Sequence, residues 1–267
     1  MQDACRRNTE SSDGRRPRRS TAAGPRLPVE AAPPPRRRGR AAALARLGSG
    51  FLAVAAAGTA GAQPPPNEAA AELFLGTAWS LPLPLVIRLP GQRLAPRARY
   101  ATRPFADAPY YAYRVGGGRR GHAVEAELVH HKLYLTDPQP PVERFEVTHG
   151  YNLMLGNVAI PTAGWRVRLG VGLVVAHPEG RIAGRTPGQR GGRARTWLGG
   201  GYHLAGVTTQ LALGRRYPLG AGSTALTVAP EAKLTAALAR VPLEEGSLLV
   251  PNVAVHALAG LGVRRRW

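Results

Sequence analysis

Two groups of side chains in this sequence could do acid–base chemistry. The denser one is Glu125, Glu127, His130, His131 and Lys132. A histidine next to a carboxylate can act as a general base, so His131, supported by a carboxylate from a neighbouring segment, is a catalytic candidate with Glu125 and Glu127. The plainer reading makes the same residues part of an ion-paired interior that includes Glu231, Lys233 and Arg240. The second group is His177-Pro178-Glu179, with His149 and His203 as partners for an acid–base pair or a metal site. A strand-ending His-Pro turn with a solvated Glu179 is its plainer counterpart. No metal and no cofactor is assigned. The chain has one cysteine, Cys5, and no CxxC, HExxH, EF-hand or phosphate-loop pattern.

The elements that carry these residues read as strands. After Gln63-Pro64-Pro65-Pro66 there is no apolar run long enough for a helical span. Segments of partial two-residue alternation are divided by Gly, Pro and charges. Eight strands are expected: Glu72–Ile87, Arg93–Arg103 (resuming at Tyr110–Val115), His122–Leu135, Glu143–Val158, Gly164–His177, Arg195–Tyr217, Ser223–Arg240 and Ser247–Val263. Gly116–Gly118, Asp137–Pro141 and Leu219–Gly222 read as short connectors. Pro178–Arg193 reads as a long exposed loop rich in Gly and Arg.

Period-two geometry sorts side chains to opposite faces of a strand. In the fourth strand Phe145, Val147, Tyr151, Leu153 and Leu155 share one face, expected to meet lipid. Arg144, Glu146, Thr148 and Asn152 share the other. The fifth strand sets Trp165, Val167, Leu169, Val171 and Leu173 against Arg166 and Arg168. The seventh sets Leu234 and Leu238 against Glu231 and Lys233. Arg144, Glu146, Arg166, Arg168, Glu231 and Lys233 are therefore expected to form a polar network in a lumen. Buried charge survives only when paired, and a narrow eight-stranded lumen filled by side chains allows that pairing. On strand three, His130 and His131 must point to opposite faces.

The N-terminal residues form three stretches. Residues 1–40 are rich in Arg, Pro, Ser and Ala, a composition that cannot fold alone. Residues 41–62 follow Arg36-Arg37-Arg38-Gly39-Arg40, hold a short apolar run around Phe51-Leu52-Ala53-Val54, and end at Ala60-Gly61-Ala62. That is the pattern of a cleaved signal peptide. Residues 63–71 are a linker, and 72–267 form one domain. The formal charge is +20. Residues 1–62 hold 12 Arg and 4 acidic residues, which leaves 24 basic and 12 acidic residues beyond them. Arg pairs bidentately with phosphate. An exported chain has no nucleic acid to meet, so lipopolysaccharide phosphates are the polyanion expected.

The strand pattern, the leader and the aromatic terminus Trp267 resemble bacterial outer-membrane β-barrel proteins, whose last strand usually ends in Phe or Trp. Arg265 departs from the apolar alternation of that terminus. The resemblance implies an all-β fold, a single closed antiparallel transmembrane β-barrel, located in the bacterial outer membrane. It implies outer-membrane lipids, lipopolysaccharide and the barrel assembly machinery as partners. Eight-stranded lipid A deacylases use a His–Ser pair. Here Ser80, Ser223 and Ser247 are the serines beyond residue 62, and none follows a histidine at short spacing. Two functions lead, and a soluble, secreted β-domain that binds polyanions is a third reading. Of the two, one is a structural or lipopolysaccharide-associated barrel. The other is a lipid A-modifying enzyme using His131, His149 or His177 with Glu125, Glu127 or Glu179.

Overall fold

The computed structural model describes residues 67–119, 122–190, 193–194 and 201–267. The basic extension, the leader and residues 63–66 of the 63–71 linker lie outside the described residues, as does Arg195 with the start of the expected sixth strand. Among the described residues there is no helix, and eight long strands run antiparallel to their neighbours. They are β1 (Glu68–Ser80), β2 (Tyr111–Arg119), β3 (His122–Leu135), β4 (Val142–Thr162), β5 (Trp165–Ala176), β6 (His203–Gly214), β7 (Thr224–Leu243) and β8 (Gly246–Arg266).

Each strand pairs with the next, and β8 pairs back on β1, so the sheet closes into a ring. Partners followed round the ring run Glu68, Gly118, Ala123, Ala159, Arg168, Ala212, Lys233, His256 and finally Ala78. The circuit from Glu68 to Ala78 is a stagger of ten residues. With usual strand spacing and rise, it tilts the strands about 41° and gives a ring radius of about 8 Å. That interior has room for side chains and little else.

The two ends differ. At one end, here the tight-turn end, the β4–β5 connection has two residues and the β6–β7 connection nine, 215–223. β4 turns into β5 through Ala163-Gly164, both with positive φ, 48° and 81°, as a two-residue hairpin of matching twist requires. The other end, here the loop end, carries residues 81–110, 177–190, 193–194 and 201–202. Short strands in these segments extend the wall: Val86–Leu89 pairs with β8 and Glu179–Ile182 with β4.

Two expectations need correcting here. Gly116–Gly118 is strand, the end of β2. A Cβ at Gly116 would lie 2.6 Å from Glu125 Cγ, so glycine there lets a long cross-strand side chain fold inward. The expected Asp137–Pro141 connector is present, between β3 and β4. Of the second expected strand, only Tyr110–Val115 corresponds to a wall strand. Arg93–Arg103 holds short pairings within the long connector.

The outside of the ring is apolar over its middle. Leu75, Val124, Val171, Leu213, Leu226 and Leu261 are all exposed. On β8 every outward residue from Val253 to Val263 is apolar. Ten rises of a tilted strand make that band about 25 Å tall. Arg119, Arg240 and Arg265 point outward near the ends of their strands. Trp79, Trp165, Tyr217 and Trp267 are exposed.

The interior has two storeys. Toward the tight-turn end it is charged. Toward the loop end it is an apolar core that includes Leu133, Phe145, Val147, Tyr151, Val174 and Leu248. The expected outward lipid face of strand four is thus contradicted: Phe145, Val147, Tyr151, Leu153 and Leu155 are buried and face in. The outward residues of β4 at the height of the apolar band are Met154 and Val158. Arg144 and Glu146 sit on the opposite face, outside the lumen, paired with each other, with the Arg144 side chain 67% exposed. For Phe145 and Val147 the reason is that β4 rises past the apolar band, to where Arg144 and Glu146 face out and the interior is the apolar core; Leu153 and Leu155 flank the outward Met154 and pack inward within the band.

Candidate functional site

Arg114 on β2 is the centre of the charged storey. Hydrogen-bonded neighbours on either side supply Glu72 and Glu127. The guanidinium donates from Nε to Glu72 at 2.9 Å and from one terminal nitrogen to both oxygens of Glu231, at 2.9 and 2.7 Å. Glu125 and Glu127 lie 3.7 Å away, and the Phe74 ring packs 4.5 Å from the guanidinium carbon. Arg168 donates to Glu125 at 2.6 Å and to Glu231 at 2.9 Å. Lys233 reaches Glu127 and, at 3.2 Å, Glu231. Gln210 and Asn157 donate to Glu127 at 2.6 and 2.9 Å. At the tight-turn end Arg216 bridges Glu72 and Glu68, and Arg166 joins Glu68 at 2.7 Å. Five carboxylates (Glu68, Glu72, Glu125, Glu127, Glu231) are ion-paired with five bases (Arg114, Arg166, Arg168, Arg216, Lys233), and Arg264 lies buried on the same inner face.

Small residues make the space. A Cβ at Gly170 would lie 2.0 Å from Asn157 Oδ1, and one at Gly214 would lie 2.9 Å from Glu231 Oε2. Between the charges and the apolar core lies a neutral layer. His256 hydrogen-bonds Tyr110 Oη at 2.5 Å and Thr235 at 2.8 Å. His131 bonds Asn252, which donates to Ser80.

Of the expected lumen residues, Arg166, Arg168, Glu231 and Lys233 are in this network. Arg144, Glu146 and Arg240 are outside it. Glu125 and Glu127 are also inside, bound in ion pairs. His131 is fully buried, and its partner is an amide, so the expected supporting carboxylate is absent among the described residues. These three have no access to a substrate. As the alternation required, His130 points the other way. It stacks on Tyr111 at 4.7 Å and bonds Asn152. Arg114, Glu72, Glu68 and Arg216 were not anticipated. The signal for Arg114 was present in the alternation Ala112, Arg114, Gly116, Gly118 against Tyr111, Tyr113, Val115.

The remaining candidates, His149, His177 and Glu179, come together at the loop end. β4 makes the site by a bulge. Opposite β3 the pairing passes from His131–Tyr151 to Leu133–Val147, so β4 spends more residues than its partner. Gly150, at φ 114°, takes the left-handed turn that the bulge needs. His149 is thrown outward as a result. The connector after β5 docks on the bulge: the His177 N–H donates to the Gly150 carbonyl at 3.2 Å, and Tyr202 Oη donates to the His149 carbonyl at 3.1 Å. His149 Nδ1 lies 2.7 Å from Glu179 Oε1, which also accepts from Thr148 at 3.2 Å. The His177 ring sits between His149 and Tyr202, with centroids 5.0 and 4.9 Å away. Burial, with His149 alongside, holds the His177 imidazole below the ordinary histidine range, against the pull of Glu179. A cavity of about 250 Å³, lined by His177, Glu179, Gly188, Gly201 and His203, opens beside these groups.

No family model, no curated protein and no solved structure matches the chain.

Proposed function

We propose that the ring is a transmembrane β-barrel of a bacterial outer membrane, with a structural or lipopolysaccharide-associated role. The observation that carries this is the pairing of an uncharged apolar outer band with an ion-paired interior. A protein folded in water buries its apolar surface and rarely leaves a continuous apolar belt exposed. In hydrocarbon the preference reverses, and a closed ring satisfies every backbone group with no free edge. The band height of about 25 Å suits the hydrocarbon core of such a membrane. Exposed Trp and Tyr near the strand ends suit its interfaces. The basic, apolar and small-residue succession at 36–62 supports export. Long connectors at the loop end would face outward, and short turns inward. Assembly would depend on the cell's barrel-insertion machinery.

A filled interior argues against a general porin and for a wall that presents a surface. The test is fractionation of cells expressing the full chain. The account expects recovery in the outer membrane, resistance to extraction with high salt, and faster gel migration of the unheated than of the boiled protein. Recovery from the soluble periplasm without detergent would overturn it.

The second reading, a lipid A-modifying enzyme, is favoured by one observation: a hydrogen-bonded His149–Glu179 pair beside His177 at the rim, where lipid headgroups would lie. A carboxylate-supported histidine is the arrangement of a general base. Lipid A mass spectra from cells with and without the gene test it. A mass change abolished by His149→Ala supports the enzyme, and identical spectra oppose it.

A further inference from the structure

We propose that His149, His177 and Glu179 form a binding site for a divalent transition metal of the zinc class. Their ligand atoms all lie within 4.8 Å of one another. Two imidazoles and one carboxylate are a zinc donor set, with bonds of about 2.0–2.2 Å. A hard cation such as Ca²⁺ prefers six to eight oxygens, which this site lacks among the described residues. Metal entry exchanges the 2.7 Å His149–Glu179 hydrogen bond for metal bonds and draws the three ligand atoms, now within 4.8 Å of one another, to the separations of about 3.4 Å that tetrahedral bonds impose.

A chance surface ion pair would not come with the surrounding structure. The bulge of β4 aims His149 at the connector, and the connector is pinned to that bulge by the Gly150 and His149 carbonyls. Thr148 orients the Glu179 carboxylate, as outer partners of metal ligands do. A second and independent sign is His177 itself: its Nδ1 is buried and has no hydrogen-bond partner among the described residues. A buried ring nitrogen without a partner is costly, and a metal is one ligand that satisfies it. Three protein ligands leave a coordination position open, and the cavity lined by His177 and Glu179 adjoins the site. The site therefore binds metal where water or an anionic oxygen can join it. The inference stands on these residues and is independent of where the ring resides.

The test uses the full chain without an affinity tag, folded in detergent and stripped with chelator. Zn²⁺ is titrated by calorimetry, and Co²⁺ is followed by its visible absorption. His149→Ala, His177→Ala and Glu179→Gln are measured in parallel, with heat-dependent gel migration as the check that each is folded. His149 is the most exposed of the three, so its variant keeps the comparison if His177→Ala fails to fold. Expected are saturable Zn²⁺ binding at about one site with micromolar or tighter affinity, a loss of at least about tenfold in each folded variant, and a Co²⁺ spectrum of four- or five-coordination. Absence of saturable binding would overturn the proposal. So would Zn²⁺ affinity unchanged in the folded variants, or Ca²⁺ bound as tightly as Zn²⁺.

Discussion

Replacing Arg114 with Met removes the charge at the centre of the interior and keeps most of the volume. Arg114 is surrounded by Glu72 and Glu231 in direct contact and by Glu125 and Glu127 at 3.7 Å. Those four carboxylates then keep only Arg168, Arg216 and Lys233. One buried negative charge is left without a counter-charge, in a site whose side chains are almost fully shielded from solvent. Breaking a buried pair this way costs about 3–5 kcal/mol. Some of that returns when the balance is restored. Arg114→Met combined with Glu231→Gln leaves Glu72, Glu125 and Glu127 opposite three bases. The pair shares direct hydrogen bonds, so a coupling of about 1–3 kcal/mol is expected. The assay is reversible urea unfolding in lipid vesicles, followed by tryptophan fluorescence and by heat-dependent gel migration. A loss below about 1 kcal/mol for Arg114→Met, or a double variant no better than the sum of the singles, would refute the claim that the interior is held by mutual neutralisation.

Further outcomes follow from the same geometry. Arg166→Ala should cost under about 1 kcal/mol in the same unfolding assay, because the Arg166 side chain is 21% exposed and Glu68 keeps Arg216. Gly170→Val should destabilise by about 1–3 kcal/mol, since its new side chain would meet Asn157 and Gln210 in a filled interior. Leu169→Arg, on the outer band, should cost about 2–4 kcal/mol in vesicles, whereas on a water-exposed wall it would cost almost nothing. Planar-bilayer recording of the reconstituted protein should show no large, stable conductance, and a steady open channel would contradict the packed lumen.

The sequence made the strands legible wherever inside and outside differed in chemistry along their whole length. β5 shows this: Arg168 and Gly170 face in, and Leu169, Val171 and Leu173 face out, as alternation required. β7 behaves alike, with Glu231 and Lys233 opposite Leu234 and Leu238. β4 defeated the same rule because its residues pass from the apolar band into a region with an apolar interior. Alternation reports that two faces differ, and says nothing of which solvent each one meets. The second wall strand was obscured by Gly116–Gly118, where glycine serves side-chain clearance rather than a turn. The rim site was half legible. His177 and Glu179 are two positions apart in the chain, and their pairing with His149 depends on a bulge that no local pattern announces. The interior partners of Glu125 and Glu127 come from β2, β4, β5, β6 and β7, and only closure of the ring brings them together.

The central claim is that the outer band of the ring lies in hydrocarbon. Nitroxide labels at Leu75→Cys, Val171→Cys and Leu261→Cys, in a Cys5→Ser background reconstituted in vesicles, test it most directly through collisional relaxation. The account predicts high accessibility to oxygen and low accessibility to a water-soluble nickel reagent at all three positions, with the pattern reversed at Arg144→Cys. Ready access of the nickel reagent to the three band positions would contradict it.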